Sequence, residues 1–252
     1  MMQATQNEVT IDAAGLSFRE LNLKLREEVA CGAKKILLLN VCGQRYIGTD
    51  LDEDLSINIV GTPGNNLGSF MDGPHISVFG NAQDGSGNTM NEGKIVVHGH
   101  AGDITGLAAR GGKIFVRDDV GYRAGIHMKE YEQKRPALVI GGTAQDFLAE
   151  YMAGGVLILL GLNLKEGEYH RASYIGTGMH GGVIYIRGAV DEWQLGKEVG
   201  VAELTDDDYQ LLGQYVSEYA AYFDCDVSEI MSGHFIKLYP RYLRPYGRLY
   251  AY

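Results

Sequence analysis

Residues 175–188 read IGTGMHGGVIYIRG, and within them Gly176-Thr177-Gly178-Met179-His180-Gly181 spells G-x-G-x-x-G. In a dinucleotide site such glycines leave a strand, turn under a pyrophosphate and open a helix whose N-terminus faces the phosphates. Here they run directly into Val183-Ile184-Tyr185-Ile186-Arg187, a β-branched and aromatic stretch that reads as a strand. With no helix N-terminus to receive an anion, the segment does not read as a nucleotide site. These glycines need another explanation.

The other residues able to do chemistry are sparse. His98-Gly99-His100 could offer two imidazoles to one metal, but it spans a glycine and lacks a clear third ligand; the competing reading is a pair of surface histidines. The densest charged cluster is Arg117-Asp118-Asp119 with Tyr122, Arg123 and His127. It is a candidate surface for a partner or small molecule. The competing reading is an aspartate bonding backbone at a corner, beside a solvated ion pair. Tyr169, His170, Arg171 and His180 form a weaker group. No G-x-S-x-G, H-E-x-x-H or P-loop occurs. Cys31, Cys42 and Cys225 are too few and too scattered for a disulfide framework, an iron–sulfur cluster or a zinc site, and read as reduced thiols of a cytoplasmic protein. The expectation is a chain with no catalytic residue, metal or cofactor of its own.

Composition narrows the class. Of 252 residues, 45% are hydrophobic and 21% charged, as in ordinary soluble domains, but 35 are glycine, about twice the usual share. Only five prolines accompany them and there is no G-X-Y period, so collagen and low-complexity disorder are poor readings. A net charge of −10 argues against a general nucleic-acid or anionic-membrane binder. The first residues, MMQATQNEVTID, have no basic or apolar region of a signal peptide, and no apolar run approaches the ~20 residues of a membrane span.

The glycines mark a repeat. Short apolar runs end at Gly61, Gly80, Gly99, Asp118, Gly141, Gly161 and Gly188, with spacings of 19, 19, 19, 23, 20 and 27. Four and two residues before each marker stand apolar residues, from Ile57 and Ile59 through Ala137 and Val139 to Ile184 and Ile186. Strand period 2 sends both positions of a unit to one side. One such strand cannot bury itself, but stacked units place apolar on apolar and pair each strand with its counterparts above and below. The reading is a mainly β chain: a single-stranded right-handed parallel β-helix over 43–190, with glycine at the corners. Residues 137–161 have a rival reading as strand, helix, strand. The extra residues at 118–136 and 162–174 read as loops on one face.

The flanks read as a separate cap over 1–42 and a helical cap with a tail over 191–252. Ser17-Phe18-Arg19-Glu20 is a capping box, followed by Leu21, Leu25 and Val29 and stopped at Gly32. Thr205-Asp206-Asp207-Asp208 starts a second helix with an apolar stripe at Leu212, Tyr215, Val216, Tyr219 and Phe223. Both helices are expected to cover the open ends of the stack. The final segment, Lys237 to Tyr252, carries Lys237, Arg241, Arg244 and Arg248 interleaved with tyrosines and no acid, which leaves −14 on the rest of the chain. Three readings stand open: a docking tail for a partner subunit, a tail wrapped on its own acidic body, and a nucleic-acid arm.

The repeat resembles the C-terminal GXGXG domain of the glutamate synthase large chain, and more distantly a subunit of formylmethanofuran dehydrogenase. The matching stretches are Gly64-Asn65-Asn66-Leu67-Gly68-Ser69-Phe70, Gly80-Asn81-Ala82-Gln83-Asp84-Gly85 and Gly99-His100-Ala101-Gly102-Asp103, with Phe235-Ile236-Lys237-Leu238-Tyr239-Pro240 resembling the closing strand. In that family an amidotransferase domain with an N-terminal cysteine and a barrel binding FMN and an iron–sulfur cluster do the chemistry. This chain begins Met1-Met2 and has no closely spaced cysteines. The resemblance therefore implies a non-catalytic scaffold subunit of a glutamate synthase-type complex in glutamate biosynthesis. Its partners would be an amidotransferase subunit and a synthase subunit carrying FMN and the cluster, with a homo-oligomer also possible. Arg117, Asp118, Arg123, His127, Arg241, Arg244 and Arg248 are the candidate partner surface. Alternatives are a scaffold in another redox complex, such as a formylmethanofuran dehydrogenase or an N-methylglutamate synthase, and a stand-alone ligand-binding β-helix using 118–136. The spacings break the strict six-residue repeat of hexapeptide acyltransferases, and the coils are shorter than those of pectin-lyase-like enzymes.

Overall fold

The computed structural model describes residues 8–165 and 167–242. Nine strands, β1 (Glu8–Asp12), β2 (Lys35–Cys42), β3 (Ser56–Thr62), β4 (Asp72–Phe79), β5 (Glu92–Val97), β6 (Lys113–Val116), β7 (Ala137–Ile140), β8 (Ala153–Leu159) and β9 (Gly181–Arg187), pair in parallel in chain order. Each is one coil further along the stack, which makes the chain a parallel β-helix. The stretch 141–152 forms a further coil corner and not a crossover helix. The order ends with β11 (Phe235–Pro240) antiparallel to β9, and β10 (Val199–Ala202) antiparallel to β11.

Register places like on like. Ile57, Ile76, Ile95, Ile114, Leu138, Leu157 and Ile184 form one column, and Ile59, Val78, Val97, Val116, Ile140, Leu159 and Ile186 another. All are buried in one continuous interior core. The column corrects the sequence reading at one point. Ile114 pairs with Leu138, not with Ala137, and Gly142, not Gly141, follows as the corner residue. Ala137 and Val139 face the opposite side of the sheet, in a second apolar layer.

That second layer is built by α2 (Asp206–Phe223). Its stripe of Leu212, Tyr215, Val216 and Tyr219 packs on Val96, Phe115, Val139, Ile158 and Tyr185, the outward residues of β5 to β9. The expectation that both helices cover open ends is thus half right. The stripe of α1 (Phe18–Ala30), Leu21, Leu25 and Val29, joins the interior core at the first coil, whereas α2 lies along the side of the stack. Sheets buried on both faces lose the apolar–polar alternation, and β7 and β8 show this as near-continuous burial. Polar pins fix α2. Glu218 pairs with Lys94 and with Lys113, the latter at 2.7 Å. Asp208, inside the α2 capping box, accepts from Tyr185 at 2.5 Å and from Lys237 at 2.7 and 2.8 Å. Burial opposes the ionisation of Asp208, but the bonds from Lys237, Tyr185 and Thr205 outweigh it and hold its pKa well below the usual carboxylate value.

Opposite the sheet lies a corner of unusual backbone. In each coil a central residue, Gly48, Gly68, Gly87, Gly106, Gly125, Ala149 or Gly176, has positive φ, and so do the residues two before and two after it. The central amide donates back to the preceding coil: Gly68 to Ile47, Gly87 to Leu67, Gly106 to Ser86, Gly125 to Thr105, Ala149 to Ala124 and Gly176 to Leu148, each at 2.8 Å. The flanking amides donate forward, as Arg123 does to Asp146 and His127 to Glu150, both at 3.0 Å. A left-handed conformation costs a side-chain-bearing residue about 1–2 kcal/mol. Thirteen of the sixteen non-glycine residues with positive φ among those described sit on this corner, Thr89 and Ile104 among them. The inter-coil bonds offset that cost.

Measured on the columns, the coils from Ile57 onward advance by 19, 19, 19, 24, 19 and 27 residues. The 24-residue coil carries its surplus after the left-handed corner, around the bridge of Tyr131 with Lys134. The 27-residue coil carries its surplus before that corner, between Gly161 and Ala172. The insertions therefore lie on two different connections, not on one face. Among the described residues no helix is long and apolar enough to cross a membrane.

Two glycines separate the costs of conformation and contact. A Cβ at Gly106, φ 75°, would find its nearest neighbour at 3.6 Å, so Gly106→Ala should lose only the left-handed penalty, about 1 kcal/mol in urea unfolding. A Cβ at Gly61, φ 127°, would land on the Val41 carbonyl across the ladder. Gly61→Ala should lose at least twice as much. Equal losses would show that coil spacing gives way easily.

Candidate functional site

Most of the polar residues singled out in the sequence turn out to lace coils together. One lace climbs a single corner: Asn81 Oδ1 accepts from the His100 amide at 2.9 Å, His100 Nδ1 from the Asp119 amide at 3.3 Å, and Asp119 Oδ1 from the Thr143 amide at 2.6 Å. Asp119 also accepts from Thr143 Oγ1 at 3.2 Å and Asn163 Nδ2 at 2.9 Å. A second lace links Asp84 to the Asp103 amide at 3.0 Å and Asp103 to the Tyr122 amide at 2.8 Å. Each side chain meets a backbone donor that the coil corner leaves unpaired.

The members of the charged cluster part company. Arg117 and Asp118 form a fork, Nε to Oδ1 at 3.0 Å and Nη2 to Oδ2 at 2.9 Å, near the end of β6. The Arg117 bond holds the Asp118 carboxyl below its usual pKa. The Arg117 carbonyl accepts from Tyr219 of α2 at 3.0 Å. Arg123 and His127 stand on the left-handed corner instead. Arg241 is exposed, and its amide donates to the Glu198 carbonyl at 2.7 Å. Arg244 and Arg248 lie outside the described residues.

The histidines separate too. His98 stacks on Phe79 at 4.8 Å and meets Phe223 edge-on at 5.2 Å, away from the lace that holds His100. Among the described residues no group of three His, Cys, Asp or Glu side chains is placed to hold a metal ion. His170 is buried, with Nε2 2.8 Å from the Arg187 carbonyl, and burial lowers its pKa. Gly176 and Gly178 are corner residues with φ of 67° and 71°, and β9 follows them at once, as the sequence reading requires.

What the left-handed corner presents outward was not visible in the sequence. The positions two before the centre carry Arg123, Phe147 and Tyr174 in successive coils. The Arg123 guanidinium lies 4.4 Å above the Phe147 ring, and Phe147 stacks on Tyr174 at 5.0 Å and 10°. The positions two after carry His127 and Tyr151, stacked at 5.4 Å and 11°. Arg123 also bonds Glu150 at 3.1 Å. Tyr151 and Tyr174 are about half exposed, as are Tyr122, Tyr46 and Phe70 nearby or further along the same corner. Rings held rigidly with one edge in water are what protein interfaces favour. The sequence signal was the spacing itself: once the coils are aligned on their central residue, the aromatic positions coincide.

Residues 29–245 match the family described as GXGXG motif. The chain is also 50% identical, over 252 residues and 97% of each chain, to an uncharacterised protein of Methanocaldococcus jannaschii.

The laces and the ion pair should separate on mutation. Asp119→Ala removes an acceptor shared by three donors in two coils and should cost about 1–3 kcal/mol by denaturant unfolding. Asp118→Ala, which breaks an exposed pair, should cost less than about 1 kcal/mol.

Proposed function

We propose a function from the premise that this chain belongs to the GXGXG motif family: it is a non-catalytic scaffold subunit of a glutamate synthase-type complex. In this reading it holds an amidotransferase subunit and an FMN- and iron–sulfur-bearing subunit in register for making glutamate from glutamine and 2-oxoglutarate. The family match over most of the chain carries the proposal. Two features of the molecule support it. Asp84, His100, Asp103 and Asp119 are engaged in fastening coils, and a rod with a side-mounted helix suits a spacer. The stacked rings of the left-handed corner, with Arg123 and His127, offer a preformed contact surface, and we assign them to partner docking. Arg117, Asp118 and Arg241 are secondary candidates for the same role, and Arg244 and Arg248 extend it into the tail.

Purification from the native host tests this. The chain should co-elute with a subunit that carries FMN and an iron–sulfur cluster. Replacing both Phe147 and Tyr174 by alanine should weaken that retention while leaving the chain folded. Elution alone, or turnover of glutamine and 2-oxoglutarate by the isolated chain, would overturn the proposal.

A further inference from the structure

At the first coil, α1 and the left-handed corner enclose a groove of about 390 Å³ lined by Phe18, Arg19, Asn22, Leu23, Arg26, Tyr46 and Thr49. Its lining is mainly apolar, with Leu23 62% exposed and Tyr46 41% exposed. It is cationic at its rim: the Arg45 guanidinium lies 4.8 Å from the Phe18 centroid and that of Arg19 5.5 Å. Bonds between helix and corner tie the two walls of the groove together. Asn22 donates to the Arg45 carbonyl at 2.9 Å, and Arg26 to the Thr49 carbonyl at 2.6 Å. None of Arg19, Arg26 and Arg45 pairs with a carboxylate among the described residues, in a chain of net charge −10.

The other end of the stack carries the complement. The only tryptophan, Trp193, is 70% exposed in a one-turn 3-10 segment, Glu192–Gln194, preceded by Asp191. Its indole Nε1 donates to Asp191 Oδ2 at 3.0 Å, which ties the ring to one carboxylate, and Glu192 supplies a second acid next to it in sequence. The two ends also share a column. Leu195 bridges to Ile175, and the Gly196 amide donates to the Ile175 carbonyl as the central residues from Gly68 to Gly176 donate to their preceding coils. Trp193 is three residues before Gly196, and Arg45 is three residues before Gly48. Counted back from the amide that bonds the preceding coil, Trp193 in the last coil matches Arg45, three before Gly48, in the first, seven steps of roughly 4.8 Å apart, although Gln194, Gly196 and Glu198 do not share the left-handed φ of the earlier corners.

We propose that the groove of one copy receives Trp193 of a second copy, so that the chain associates head to tail along the stack axis. The indole packs on Phe18, Leu23 and Tyr46 under the guanidinium groups of Arg19 and Arg45, and Asp191 and Glu192 meet the arginine rim. The contact surface is different on the two partners, so it does not close on a dimer. The inference is independent of the scaffold reading, because the purified chain alone is sufficient to show it.

Sedimentation velocity over rising protein concentration tests the proposal, with tryptophan emission recorded on the same samples. The weight-average mass of the wild-type chain should climb past twice 27.6 kDa, and the emission should shift to the blue as the sole indole is buried. Arg45→Glu and Trp193→Ala should each stay at 27.6 kDa, with Arg19→Glu as a second groove variant. An equal mixture of Arg45→Glu and Trp193→Ala retains one sound groove and one sound tryptophan, so it should reach twice the monomer mass and stop. A wild-type chain that stays monomeric with red-shifted emission overturns the proposal, including the case in which the groove serves a different polypeptide. So does growth that survives both substitutions.

Discussion

The fold depends on one constraint: every coil must bring its backbone donors and acceptors to the height of its neighbours on two sides at once. On the sheet side ordinary parallel pairing does this. On the opposite corner it is done by alternate residues in the left-handed region, the central amide bonding back and its flanks bonding forward. Parallel strands need a crossover of a dozen or more residues, and here a 19-residue coil supplies it without a helix. The spacing from column to corner is 11 residues in the regular coils, as from Ile76 to Gly87, Ile95 to Gly106 and Leu138 to Ala149, and lengthens only from Leu157 to Gly176, where the second insertion falls. Surplus residues are accepted only where no ladder runs, which is why the two insertions fall on different connections.

The same constraint explains what the sequence disclosed. The period, the glycine excess, the parallel stack and the role of Gly176 and Gly178 follow from the need for φ > 0 at a recurring position. The helix starts at Ser17 and Thr205 were equally legible, because capping is decided within four residues, and the structure adds a capping box at Thr205 to the one read at Ser17. The register at β7 was not. Gly141 and Gly142 are both candidates for the corner, and every residue of Ala137–Ile140 is apolar because both sheet faces are covered. With no alternation to read, the choice between the two registers needed the partner strands. The position of α2 was hidden for a related reason: an apolar stripe states that a helix packs, not on what.

The candidate surfaces divide along the same line. Asp119 and His100 look chemical in one dimension and are structural in three, since their partners are amides one coil away and 19 to 24 residues distant. The stacked column of Arg123, Phe147 and Tyr174 was concealed by spacings of 24 and 27 residues, which no local motif spans. An exposed ring that would be unremarkable alone gains a fixed orientation from its neighbour in the next coil. A rod of this kind presents side chains in straight files.

Amide hydrogen exchange on the folded chain tests the central claim most directly. If the left-handed corner is a true ladder, the amides of Gly87, Gly106 and Gly125 should exchange as slowly as those of Ile95 and Ile114 in the strands, within about a factor of ten. Exchange at the corner at the rate of the exposed connection around Glu132, with the strands alone protected, would contradict it.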